Sequence, residues 1–198
     1  FPLLVLCAVR AARLVLPHGS RTDRLAASAV LAMGLVHVNV GLLGTLGVLT
    51  ANALLVLLGL EAVLLVGATF QRAGDGWRHD WSALWPALML VAAVSGIAVA
   101  AARLLPVWQW DSLGYHLPFV NFVIQSHGFA EVPPDVRYIS TYPHDIELGM
   151  IALRLMLPDD RLVDLAQLPY GLAGAALTAA IARRLGASVR NASLAGAL

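Results

Sequence analysis

Residues 84–105 read LWPALMLVAAVSGIAVAAARLL, and residues 108–118 read WQWDSLGYHLP. The first run is long enough to carry a helix through the hydrocarbon core of a bilayer, which takes about 20 apolar residues. The second places an acid, a tyrosine and an imidazole where that helix would emerge into water. Ionisable groups beside hydrocarbon are costly and are kept there for chemistry or transport. This junction therefore sets the fold class and marks the place to look for a site.

Composition points the same way. The chain is 59% hydrophobic and only 13% charged, against roughly 25% charged residues in soluble domains. That is the make-up of an all-α, polytopic transmembrane protein. All thirteen basic residues are Arg. With the abundance of Ala, Leu, Val and Gly, this fits a GC-rich bacterial genome better than an anion-binding role. A net charge of +1 argues against a nucleic-acid partner. Cys7 is the single cysteine, so no intrachain disulfide can form. The chain starts at Phe1 inside an apolar run and ends at Leu198 as another begins, the pattern of an N-terminal piece of a longer membrane protein.

Hydropathy predicts spans at 25–49, 51–70, 84–105 and 162–181, with 1–16 as a short first span and a tight turn near Thr50. Three regions follow: N-terminal membrane helices over 1–105, a loop over 106–161, and further membrane helices over 162–198. Alternating spans gather Arg21, Arg24, Arg72, Arg78, Arg183, Arg184 and Arg190 on one side, which is then cytoplasmic. Trp77, Trp81 and Trp85 mark that face, and Trp108 and Trp110 the opposite one. The expected location is the cell (inner) membrane, with the 106–161 loop outside the cytoplasm. Within the loop, 117–125 and 146–157 read as short surface helices, the second closed by Pro158-Asp159-Asp160.

The polar residues of that loop are the site candidates. Partial desolvation of Asp111 at the boundary would strengthen it as a base able to take a proton from a sugar or lipid hydroxyl; the plain alternative is a cap on the helix that follows. Tyr115 and His116 beside it add polar groups that a cap does not need. In the stretch 137–145, Arg137 could hold a phosphate oxyanion. Tyr138 and Tyr142 could stack on a sugar ring or simply anchor the loop. His144 and Asp145 complete the substrate-binding candidates. His116, His127 and His144 with Asp111 or Asp145 could hold a divalent metal, but spacings of 11 and 17 residues match no compact ligand motif. No metal or other cofactor is expected.

Glu61, in an otherwise uncharged span, falls at the same depth as Asn39, with His37 close by. A Glu61–Asn39 hydrogen bond is the economical account, and a proton relay the sharper one.

From 108 onward the order of features resembles the GT-C superfamily of integral membrane glycosyltransferases. The branch is that of the bacterial relatives of protein mannosyltransferases and lipid A aminoarabinose transferases. An acid opens the loop, Tyr-His-Leu-Pro and a surface helix follow, then a Tyr-Pro element, a second surface helix and a Pro-Asp-Asp turn. A membrane helix ending in Ala-Arg-Arg-Leu-Gly closes the series. The resemblance implies a sugar donor carried on a polyprenyl phosphate and inverting transfer to a lipid, glycan or protein acceptor of the cell envelope. It makes Asp111 the catalytic base and sets Tyr142-Pro143 near the donor. Such proteins often carry two adjacent acids where this chain has Asp111-Ser112, so either one carboxylate suffices here or a second, such as Asp145 or Glu147, folds in beside Asp111. The rival class is a transporter or flippase working through Glu61, Asn39 and His37; a non-catalytic scaffold is the third.

Overall fold

The computed structural model describes residues 2–69, 81–105, 107, 111–141 and 144–198. Among the described residues the regular structure is helical throughout, without strands. Helices α1 (Pro2–Val15), α2 (Arg21–Thr45), α3 (Ala51–Thr69) and α4 (Trp81–Leu104) come first. A π-helical segment, Ser112–His116, runs into α5 (Leu117–Gln125). A 3₁₀ segment, Pro134–Ser140, precedes α6 (Asp145–Met156), and a second, Asp160–Gln167, leads into α7 (Leu168–Arg184) and α8 (Val189–Ala197).

Three helical stretches are long and apolar enough to cross a membrane: Thr22–Thr45, Trp85–Leu104 and Asp160–Arg184. The chain is an all-α membrane protein. Helix α3 is apolar too; its 19 residues rise about 28 Å at 1.5 Å each, just under the ~30 Å hydrocarbon core.

Helix ends follow local chemistry. At the start of α2, the amide of Asp23 donates to Ser20 Oγ at 3.2 Å and the amide of Ser20 to Asp23 Oδ2 at 3.3 Å. This reciprocal capping box satisfies two otherwise orphaned donors. The helix stops at Thr45, earlier than the 49 read from hydropathy, because Gly47 takes a left-handed φ of 69°. Thr50 then accepts from the amide of Ala53 at 3.1 Å and caps α3. The span expected over 162–181 opens as 3₁₀ and becomes α-helical at Leu168-Pro169. Proline has no amide to continue a helical ladder but is well placed in a first turn.

The chain divides into two compact units. One comprises Phe1–Met33, Gly59–Ile97 and Leu168–Leu198, the other Gly34–Leu58 and Ala98–Gln167. Their interiors differ. In the first, the buried described residues are Cys7, Ala8, Ala12, Ala26, Ala62, Ala87, Ala173, Ala180 and Ala192, while Val63, Leu64, Ile97 and Ile181 face outward. Small residues inside and large apolar ones outside is how helices pack in lipid, where hydrocarbon outside removes any gain from burying Leu. Gly196 of α8 lies so close to the carbonyl of Ala175 in α7 that a Cβ there would collide with it. In this unit Arg184 Nε also donates to Asp23 Oδ1 at 3.1 Å, joining the end of α7 to the first turn of α2.

The second unit buries large side chains instead: Leu43, Leu49, Leu117, Phe119, Val120, Val123, Ile139, Met150, Ile151 and Val163 among them. Larger side chains make up this interior, in contrast to the small ones of the first unit. Of the sequence markers, Arg72, Trp77, Arg78, Trp108 and Trp110 lie outside the described residues, as does the side chain of Trp81. Trp85 is exposed.

Candidate functional site

The second unit carries the polar residues singled out in the sequence. Helix α5 buries Leu117, Phe119, Val120 and Val123, a spacing that gives one apolar face, and packs on α6. Helix α6 packs in turn on the 3₁₀ segment Asp160–Gln167, which buries Leu162, Val163 and Ala166. The turn between them is tied by ion pairs: Arg154 Nε reaches Asp160 Oδ1 at 2.6 Å and Arg161 Nη2 reaches Asp159 Oδ2 at 3.2 Å. Hydrogen bonds from Arg161 hold the Asp159 carboxyl below the usual carboxylate range. His37 of α2 donates its Nε2–H to the carbonyl of Asp145 at 2.8 Å. A carbonyl can only accept, so this bond fixes the proton on Nε2.

The buried face of α6 consists of Glu147, Met150 and Ile151. A carboxylate thus occupies a core position, with 0% exposure. Such a group is costly unless paired. Its partner is His116, the last residue of the π segment, whose Nδ1 lies 2.7 Å from Glu147 Oε1. A second imidazole, His144 just ahead of α6, has Nδ1 3.8 Å from the same oxygen, too far for a hydrogen bond. Glu147 Oε2 and His144 Nδ1 are both buried without a hydrogen-bond partner. Phe119 stacks on His144, centroids 3.7 Å apart and rings 3° from parallel, and Tyr115 leans on His116 at 3.9 Å. The aromatic contacts hold both imidazoles against Glu147.

Asp111 is exposed and stands immediately before the π segment. Ser112 is buried, and its Oγ donates to Asp164 Oδ1 at 3.4 Å. Ser112, next to Asp111 in sequence, is therefore joined in space to a second acid. Arg137 and Tyr138 are exposed on the 3₁₀ segment Pro134–Ser140, and Asp145 is exposed at the start of α6. The structure brings His116 and His144 together but not around Asp111 or Asp145, as the metal alternative would need. His127 is exposed in the turn after α5, with φ 55°. Among the described residues no three His, Cys, Asp or Glu side chains are arranged to hold a metal ion. Tyr142 and Pro143 lie outside the described residues.

Of the cluster's members, Glu147 was read only as a possible second carboxylate beside Asp111, and Asp164 was not among the sequence candidates. Glu147 had a signal: helical spacing from 147 to 150 and 151 puts an acid on an otherwise apolar face. Asp164 had none, because its partner is 52 residues away in the chain.

Comparison with protein-family models, with curated proteins and with solved structures finds no match to this chain.

Proposed function

We propose that the chain belongs to a membrane glycosyltransferase. In this reading it moves a sugar from a polyprenyl-phosphate donor to an envelope acceptor on the extracytoplasmic side, with inversion, and Asp111 is the base. One observation carries the reading. Within a strongly apolar chain, a fully buried carboxylate joined to an imidazole follows an exposed acid, all between two helices able to span a membrane. A chain that only had to sit in lipid would gain nothing from burying Glu147.

The chemistry asks little more of the protein. A lipid phosphate is a good leaving group, so one base and one group that stabilises the departing phosphate suffice for a single displacement. Tyr115, Tyr138 and Tyr142 offer ring faces for the sugar, and Arg137 and His144 offer donors to its hydroxyls or phosphate. The proposed orientation draws on the arginine distribution.

The test is transfer of radiolabelled sugar from polyprenyl-phosphate donors in membranes containing the full-length protein. Donor-dependent labelling of an envelope fraction supports the reading. Full-length protein that is inactive with every donor, in membranes where a known transferase works, overturns it.

A further inference from the structure

We infer that His116, positioned by Glu147, is the group that holds the donor's phosphate, through Nε2–H of an imidazolium. The inference rests on the glycosyl-transfer reading above and assigns the cation that reading needs.

The argument starts from charge. Glu147 has no exposure, and a carboxylate in that position is tolerated only when paired. Among the described residues the ionisable groups that reach it are the two imidazoles, and His116 is the one in hydrogen-bond range, at 2.7 Å. That length is at the short end expected for a charge-assisted N⁺–H···O⁻ bond. In this assignment His116 and Glu147 act as an imidazolium–carboxylate pair. Glu147 takes up Nδ1–H, which leaves Nε2–H, on the other side of the ring, as a donor. The His116 side chain keeps 17% of its surface exposed, so the ring is not sealed in the core.

Backbone geometry adds a second element. In an α-helix, residues five apart are turned about 140° from one another. Here the amide of Leu117 donates to the carbonyl of Ser112, five residues back. The wider π turn brings residues five apart nearly into line, which puts Asp111 and His116 on one side of the segment. The pair can then serve opposite ends of one displacement. The acceptor hydroxyl attacks the anomeric carbon and its proton passes to Asp111. The bond from that carbon to the phosphate oxygen breaks, and its electron pair leaves on the oxygen. Nε2–H of His116 donates a hydrogen bond to that oxygen and keeps its proton. Glu147 Oε2 and His144 Nδ1 have no hydrogen-bond partner, and a small approach of His144 would give Glu147 a second donor once a phosphate draws on His116.

The experiment measures binding of polyprenyl monophosphate, the leaving group itself, to the full-length protein in phospholipid vesicles, beside unphosphorylated polyprenol. Loss of one charge-assisted bond predicts about tenfold or greater weakening for His116→Gln with polyprenyl phosphate, and no change with polyprenol. His116→Lys, which keeps a cation opposite Glu147, should recover most of the affinity, whereas a misfolded site would not recover. Glu147→Gln should weaken phosphate binding in the same direction. Unchanged binding by His116→Gln, while wild type binds the phosphate and transfers sugar, overturns this assignment alone. Wild type that neither binds polyprenyl phosphate nor transfers sugar overturns the reading beneath it.

Discussion

The amide of Leu49 donates to the carbonyl oxygen of His127 at 2.8 Å, and the amide of Phe129 donates to the carbonyl of Gly44 at 3.0 Å. These two bonds stitch the turn after α5 to the turn between α2 and α3. Between them sits Gly128, buried against backbone: a Cβ there would lie 2.5 Å from the Gly44 oxygen and 2.9 Å from the Gly47 Cα. Backbone on both sides cannot move aside. Gly128→Ala should therefore cost about 1–3 kcal/mol, the usual range for overpacking. At Gly44 the obstacle is the ring of Phe129, which is 40% exposed and free to turn away. Gly44→Ala should be the milder change. Thermal unfolding of the two variants in detergent checks this, and equal losses would contradict it.

The Glu147–His116 pair predicts a separation of stability from function. Removing one partner of a buried charge pair is strongly destabilising, by about 3–5 kcal/mol, because the other is left uncompensated. Glu147→Ala should behave so. Replacing both with apolar residues of similar size is often neutral or stabilising. The double variant Glu147→Met with His116→Phe should melt near wild type yet transfer no sugar. A double variant that stays active would show that the pair serves only the fold.

Hydropathy alone carried much of the architecture. The apolar run at 84–105 became α4, and 117–125 is the span of α5 to the residue. Boundaries shifted where one backbone group outweighed the pattern, as at Gly47 after α2 and Pro169 in α7. The site was less legible. Asp111, Tyr115, His116 and His144 were visible because they are polar residues in a polar loop beside membrane helices. The pairing of His116 with Glu147 crosses 31 residues, and that of Ser112 with Asp164 crosses 52. Local propensity carries no information about contacts made by packing one helix on another.

Glu61 separates the transferase from the transporter. It lies in α3, in a different unit from the Glu147 cluster, and Asn39, its expected neighbour, is buried in α2. If the working groups are those of the outer loop, Glu61→Gln should leave sugar transfer within about twofold of wild type, a change of under ~0.5 kcal/mol in barrier. A transporter that needs this carboxylate would lose its flux. Measuring transfer and substrate uptake on the same vesicles decides between them.

Asp111 is exposed, so replacing it removes no buried contact. Asp111→Asn should accumulate and melt like wild type while transfer falls by roughly 10²–10⁴, the contribution of a positioned base. Binding of polyprenyl phosphate should persist, because the residues assigned to the phosphate are elsewhere. Retained transfer would move the base to another residue.

Ser112 and Asp164 offer a last test. Ser112 is 3% exposed and donates to Asp164 Oδ1. Ser112→Asp would place two acids side by side in sequence, but would set two carboxylates against each other in a confined space. Like charges so placed cannot both ionise cheaply, so the single variant should lose both stability and activity. Exchanging the partners, Ser112→Asp together with Asp164→Ser, keeps one carboxylate and one hydroxyl at the same place. The exchange should recover most of what the single variant loses, since coupled neighbours are strongly non-additive. Measuring transfer and thermal midpoint around this cycle gives the coupling directly. Additive losses would mean that the two residues act independently.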